Sequence, residues 1–86
     1  MQFEAALVQE QNIKFAVVVV RRGIVSNTSE ANRTLASFSP AFGFVPVVLM
    51  EQDHHGVPHY YGRRDIVNFL ADIDFRCLPW AKWTLS

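Results

Sequence analysis

Phe15-Ala16-Val17-Val18-Val19-Val20 and Val45-Pro46-Val47-Val48-Leu49-Met50 are two dense, largely β-branched runs with one helix-sized segment between them. Each run is apolar at both odd and even positions, so neither suits a strand with one face in water. Such runs suit strands covered on both sides. They predict a small layered α+β domain with a sheet at its centre.

Between the runs, Asn27-Thr28-Ser29-Glu30 reads as a helix start. Asn27 is placed to accept from the backbone three residues on, with Glu30 reaching back as in a capping box. Ala31, Leu35 and Phe38 fall on one helical face. Pro40 cannot continue the helix and disfavours helical geometry at Ser39. If the crossover from Val20 to Val45 joins parallel neighbours, it is right-handed.

Upstream, the Glu, Ala, Leu and Gln of residues 3–10 favour helix locally. Gln11-Asn12, however, makes a turn that would pair Phe3–Gln9 with Ile13–Val20, and strand is the favoured reading. Downstream, Asp53-His54-His55-Gly56 reads as a turn. Val57–Tyr61 reads as a short strand antiparallel to Val45–Met50, at a sheet edge or starting late because Pro58 has no donor. Gly62 is expected to cap a second helix, with Asp65 three residues on and Tyr61 and Ile66 as a hydrophobic staple. Ile66, Val67, Phe69, Leu70 and Ile73 give that helix its apolar face. Trp80–Leu85 reads as a short extended tail rich in aromatics. The expected order is (β)-β-α-β-β-α-tail, one α+β domain over residues 1–86.

Composition narrows the function classes. Hydrophobic residues make up 50% of the chain and charged residues 19%, against roughly 25% charged in ordinary proteins. Seven Phe, two Tyr and two Trp must find room in 86 residues. A chain of this size buries only ~60% of its unfolded surface, so some aromatic area is expected outside. Contiguous exposed apolar area marks interfaces. Self-association, or binding to another protein, is therefore the default expectation, with a tight Phe-rich core and no interface as the alternative. Eight basic and eight acidic residues leave no net charge, which gives no long-range attraction to nucleic acid or an anionic membrane. The lone Cys77, the start Met1-Gln2-Phe3-Glu4 and the lack of any run of ~18 apolar residues imply a cytoplasmic chain with no secretory leader and no membrane span.

Phe44-Val45-Pro46, the strand Val47–Met50, the turn Asp53–Gly56, the edge strand Val57–Gly62 and the helix Arg63–Ile73 resemble the C-terminal half of thioredoxin-like domains. The resemblance implies a cis Val45–Pro46 bond and a β-α-β-β-α core. It covers about half of the chain. Thioredoxin-like oxidoreductases carry Cys-x-x-Cys at the first helix start, where this chain has Val25-Ser26-Asn27-Thr28. The chain is also too short for that family's additional strand and helix. The departures argue against redox chemistry, leaving a degenerate redox protein using Cys77 as an alternative.

Four sets of residues are candidate sites. His54, His55 and His59, near Asp53 and Glu51, have the chemistry of metal ligands but match no closed zinc spacing, and a polar hairpin turn accounts for them without a metal. Arg63 and Arg64 open a helix, where guanidiniums and backbone N–H groups bind anions. That doublet would also centre a phosphate or nucleic-acid site. Arg21-Arg22 would not join it, because the expected topology puts the doublets at opposite sheet ends. Cys77 beside Arg76 is either an activated thiol or a small apolar side chain. Tyr60, Trp80 and Trp83 are the interface candidates, since Trp is enriched at binding hot spots. The two Trp residues would either complete the core or project toward a partner. The nucleophile elbow, the glycine-rich phosphate loop and the zinc-protease helix motif are absent. No catalytic residue, cofactor or metal is assigned, and the expected function is that of an interaction module.

Overall fold

A computed structural model of the chain describes residues 1–10 and 12–85. Gln11 of the expected first turn lies outside the described residues. The elements are β1 (Gln2–Glu10), β2 (Ile13–Val19), α1 (Thr28–Phe38), β3 (Val47–Gln52), β4 (Pro58–Tyr61), α2 (Arg64–Ala71) and β5 (Trp80–Thr84). Short 3₁₀ turns occupy Ser39–Phe42 and Phe75–Cys77. The fold is α+β, as the two valine-rich runs require. The ambiguous N-terminal segment is a strand, and the aromatic tail is a strand as well.

One mixed sheet runs in the order β4-β3-β2-β1-β5. β2 and β3 are parallel, and the other neighbours are antiparallel. Strand parity sorts the core into two layers. On one face Phe3, Ala5, Ala16, Val18, Val47 and Leu49 pack with Ala31 and Phe38 of α1. On the other, Ala6, Val8, Phe15, Val17, Val48 and Met50 pack with Ile66 and Leu70 of α2. β2 and β3 are thus sheltered front and back, which is why their sequences do not alternate. Over β1 the α1 layer is aromatic. The Phe3 ring lies 4.7 Å from Phe38 and 6.0 Å from Phe42, and the Phe42 ring lies 4.8 Å from Trp83.

Local chemistry explains most boundaries and corrects several expectations. The Asn27 side chain accepts from Glu30 N at 3.1 Å, as read from the sequence. The returning half of the capping box is not made, because Asn27 N donates to Ile24 O at 3.2 Å. α2 starts later than expected, and its N-cap is Arg63 rather than Gly62. Gly62 has a different task. A Cβ there would meet Val48 Cγ2 at 2.9 Å and Val48 Cα at 3.1 Å, so the chain crosses too close to β3 for a side chain. The staple fails because Tyr61 packs in the α1 layer and Ile66 in the α2 layer. The Val45–Pro46 bond, expected cis from the thioredoxin resemblance, is trans.

Candidate interaction edge

The last strand is positioned by the turn before it. Asp74 accepts from Arg76 N at 3.0 Å and holds the Arg76 guanidinium at 2.7 Å. The paired guanidinium and that backbone bond hold the Asp74 carboxyl down at about 2. Trp80 N donates to Leu78 O and Trp80 Nε1 to Phe75 O, both at 2.8 Å. These bonds fix the direction in which β5 leaves the turn. β5 then runs antiparallel to β1, with Ala6 opposite Trp80, Glu4 opposite Lys82 and Gln2 opposite Thr84.

The phase of this ladder decides which groups remain free. Met1 N donates to Leu85 O at 3.2 Å, and Leu85 N to Met1 O at 2.8 Å. In an antiparallel pair such doubly bonded positions alternate with unbonded ones. Phe3–Trp83 and Ala5–Ala81 are therefore also bonded pairs. Lys82 and Thr84 consequently turn both N–H and C=O away from β1, toward an edge with no neighbour among the described residues. Trp80 and Trp83 lie three positions apart on this strand, so they sit on opposite faces. Trp80 is half-buried in the α2 layer and Trp83 in the α1 layer. The sequence had grouped them as one aromatic cluster. Trp83 Nε1 is buried without a hydrogen-bond partner among the described residues.

β4, the opposite edge, offers fewer free backbone groups. Asp53 N donates to Val57 O at 3.0 Å, which makes Glu51–His59 and Leu49–Tyr61 the bonded pairs. Pro58 and Tyr60 then face outward, and Pro58 has no N–H to offer. Tyr60 is half-buried in the α2 layer, and its hydroxyl is buried without a hydrogen-bond partner among the described residues. Burial, with the Asp74 charge adding to it, pushes the Tyr60 hydroxyl above the usual phenol range. Tyr61 donates to Asn32 Oδ1 at 2.8 Å and ties this edge to α1.

The remaining candidates do not converge. Arg63 makes a bidentate pair with Asp65 at 2.8 and 2.7 Å, so its charge is already matched. Asp65 also accepts from Ile66 N at 3.0 Å and thereby takes the anion's place at the start of α2. Arg64 lies outside that pair, beside a shallow cleft with Tyr60, Tyr61 and Val67. Arg21 and Arg22 follow β2, while Arg63 and Arg64 follow β4, which runs the other way in the sheet. The two doublets sit at opposite sheet ends. Asp53 accepts from His55 N at 2.8 Å and Val57 N at 3.0 Å, and pairs with His59 Nε2 at 3.0 Å. These contacts, His59 first, hold the Asp53 carboxyl at about 2. The His54 and His55 ring centroids lie 4.0 Å apart, with the ring planes tilted by 43°.

Glu51 turns away from this cluster. It is buried and accepts from Val25 N at 2.8 Å, bracing the loop between β2 and α1. Among the described residues no group of three or more His, Cys, Asp or Glu is placed to hold a metal. Cys77 is exposed on the 3₁₀ turn, and its neighbour Arg76 is engaged by Asp74. A cleft of about 490 Å³ opens beside the end of β2, floored by Phe3, Val20 and Phe38, with Arg21 and Glu30 among its lining residues.

The sequence reading missed Lys82 and Thr84, whose importance lies in their backbone rather than their side chains. It also missed Phe44, which is 76% exposed. Compared with known proteins, the chain matches no family model, no curated protein and no solved structure. No helix among the described residues is long and apolar enough to cross a membrane.

Proposed function

We propose that this chain is a small non-catalytic interaction module that binds another protein chain by strand addition at β5. The observation that carries this reading is the outward pair of free N–H and C=O groups at Lys82 and Thr84, on a strand with no proline inside it. In strand addition the main chain supplies affinity, and side chains on the two faces supply selectivity. Here those side chains include Trp80 on one face and Trp83 on the other, both of a type enriched where binding energy concentrates. The low charged fraction and the neutral balance favour contact with another protein over contact with an anionic polymer. The lone thiol of Cys77 fits a reducing compartment, and we place the module in the cytoplasm.

A titration of the isotopically labelled chain with a soluble peptide of alternating Val and Thr tests the reading. The amides of Lys82 and Thr84 are expected to shift and to gain protection from hydrogen exchange. At a concentration where the chain is monomeric, shifts confined to β4, to Phe44 or to the Arg64 cleft would overturn it, as would no shift at all.

A further inference from the structure

Resting on the strand-addition reading, the geometry points to a second copy of this chain as the occupant of the β5 edge, paired antiparallel about a two-fold axis at Trp83. The pairing would join two five-stranded sheets into one.

The choice of occupant and register follows from the free groups. A two-fold pair of β5 strands has three central registers. With Lys82 on the axis, each Lys82 faces the partner's Lys82, and directly opposed like charges destabilise a strand pair. With Ala81 on the axis, Trp80 faces the partner's Lys82. Trp80 N is already donated to Leu78 O, so each of those bonded pairs is half made. With Trp83 on the axis, Lys82 faces the partner's Thr84. Both residues have N–H and C=O free, so the ladder closes without a charge conflict.

The same register sorts the side chains. Trp83 lies against the partner's Trp83 at a non-bonded position, where the strands approach to about 4.5 Å between Cα atoms. Ala81 lies against the partner's Leu85 on the same face. This extends the α1 aromatic layer of Phe3, Phe42 and Trp83 across the axis. Lys82 and Thr84 take the other, polar side. A strand that is self-complementary in both backbone and side chains fits a copy of itself without any second partner.

Three measurements test this. Sedimentation equilibrium of the intact chain should show a monomer–dimer equilibrium. Thr84→Pro removes one outward N–H per strand while leaving the Trp83 and Leu85 bonds to β1, and should weaken the dimer about tenfold or more with an unchanged circular dichroism spectrum. In a Cys77→Ser background, mixing a Lys82→Cys chain with a Thr84→Cys chain should give a disulfide-linked dimer under mild oxidation. Bonded pairs sit about 5.5 Å apart, within disulfide reach. Neither chain should cross-link alone. Cross-linking by Lys82→Cys alone would overturn the register. A monomer at the highest soluble concentration would overturn the self-pairing, while the peptide titration still decides strand addition. A dimer untouched by Thr84→Pro and lacking the mixed cross-link would overturn both the self-pairing at β5 and its register, and again the peptide titration decides strand addition.

Discussion

The two edges of the sheet solve the same problem in opposite ways. Both β4 and β5 end a ladder and both must deal with unpaired backbone groups. β4 is short, presents Pro58 outward and is tied back to the body by Tyr61 and Asn32. β5 presents two residues with complete donor and acceptor pairs, and is held from behind by its indoles. The difference shows how an edge can be closed or left open without changing the sheet. What matters is which residue of the alternating pair faces out, and whether that residue has an N–H.

The comparison breaks most visibly at the anchors. Trp83→Ala removes the ring that holds β5 over Phe42. Because Trp83 is only half-buried, the expected loss is about 3 kcal/mol, toward the low end for large aromatic truncations. Urea denaturation reads it. A loss below about 1 kcal/mol would mean that β5 is held by its ladder alone. At the other edge, Gly62→Ala drives a methyl group to 2.9 Å from Val48 Cγ2. The expected destabilisation is about 1–3 kcal/mol by overpacking, visible as a lower thermal midpoint.

The two tyrosines of β4 sharpen the contrast with opposite signs. Tyr61→Phe deletes the bond to Asn32 and should cost about 1 kcal/mol or less. Tyr60→Phe removes a buried hydroxyl that has no partner among the described residues, and should be neutral or slightly stabilising. Equal losses from both would show that Tyr60 has a polar partner after all.

The smallest effect is electrostatic and touches the approach to each edge. Asp53, in the turn before β4, and Asp74, in the turn before β5, are both held at about 2 against an ordinary value of 3.8. A depressed carboxyl contributes stability that is fully present above its unfolded value and is lost as pH falls through its folded value. The chain should therefore lose stability as pH drops from about 3.8 toward about 2. Asp74 is exposed and Asp53 partly so, so screening keeps the effect modest. Asp53→Asn and Asp74→Asn should each flatten that decline in denaturation curves recorded across the window, and an unchanged slope would contradict the assigned contacts.

Much of the fold was legible because burial on both faces leaves a strong imprint. The two valine-rich runs announced β2 and β3, and Asn27, Ala31, Leu35 and Phe38 announced α1. Pro58 correctly marked an edge. What was hard to read lay where local and distant forces compete. Residues 2–10 contain good helix formers, yet they are a strand because the sheet buries Ala5 and Ala6 on opposite faces. Gly62 looked like a cap because close approach to Val48 leaves no mark in nearby sequence. Trp80 and Trp83 looked like one patch because neither a tail nor its pairing partner can be phased from local pattern. The candidate site was the least legible part, since it consists of backbone groups whose direction depends on a register set by Met1 and Leu85.

That register also orders events in time. Residues 80–84 find their partners at 2–6, so nearly the whole chain must be laid down before this ladder can zip. Closing so long a loop costs entropy before any contact repays it. A nascent chain therefore displays the outer side of β1 until β5 arrives. During that interval, β5 of a neighbouring molecule is as good a fit as its own, which makes crowded synthesis the setting in which exchange of β5 between molecules competes with correct closure.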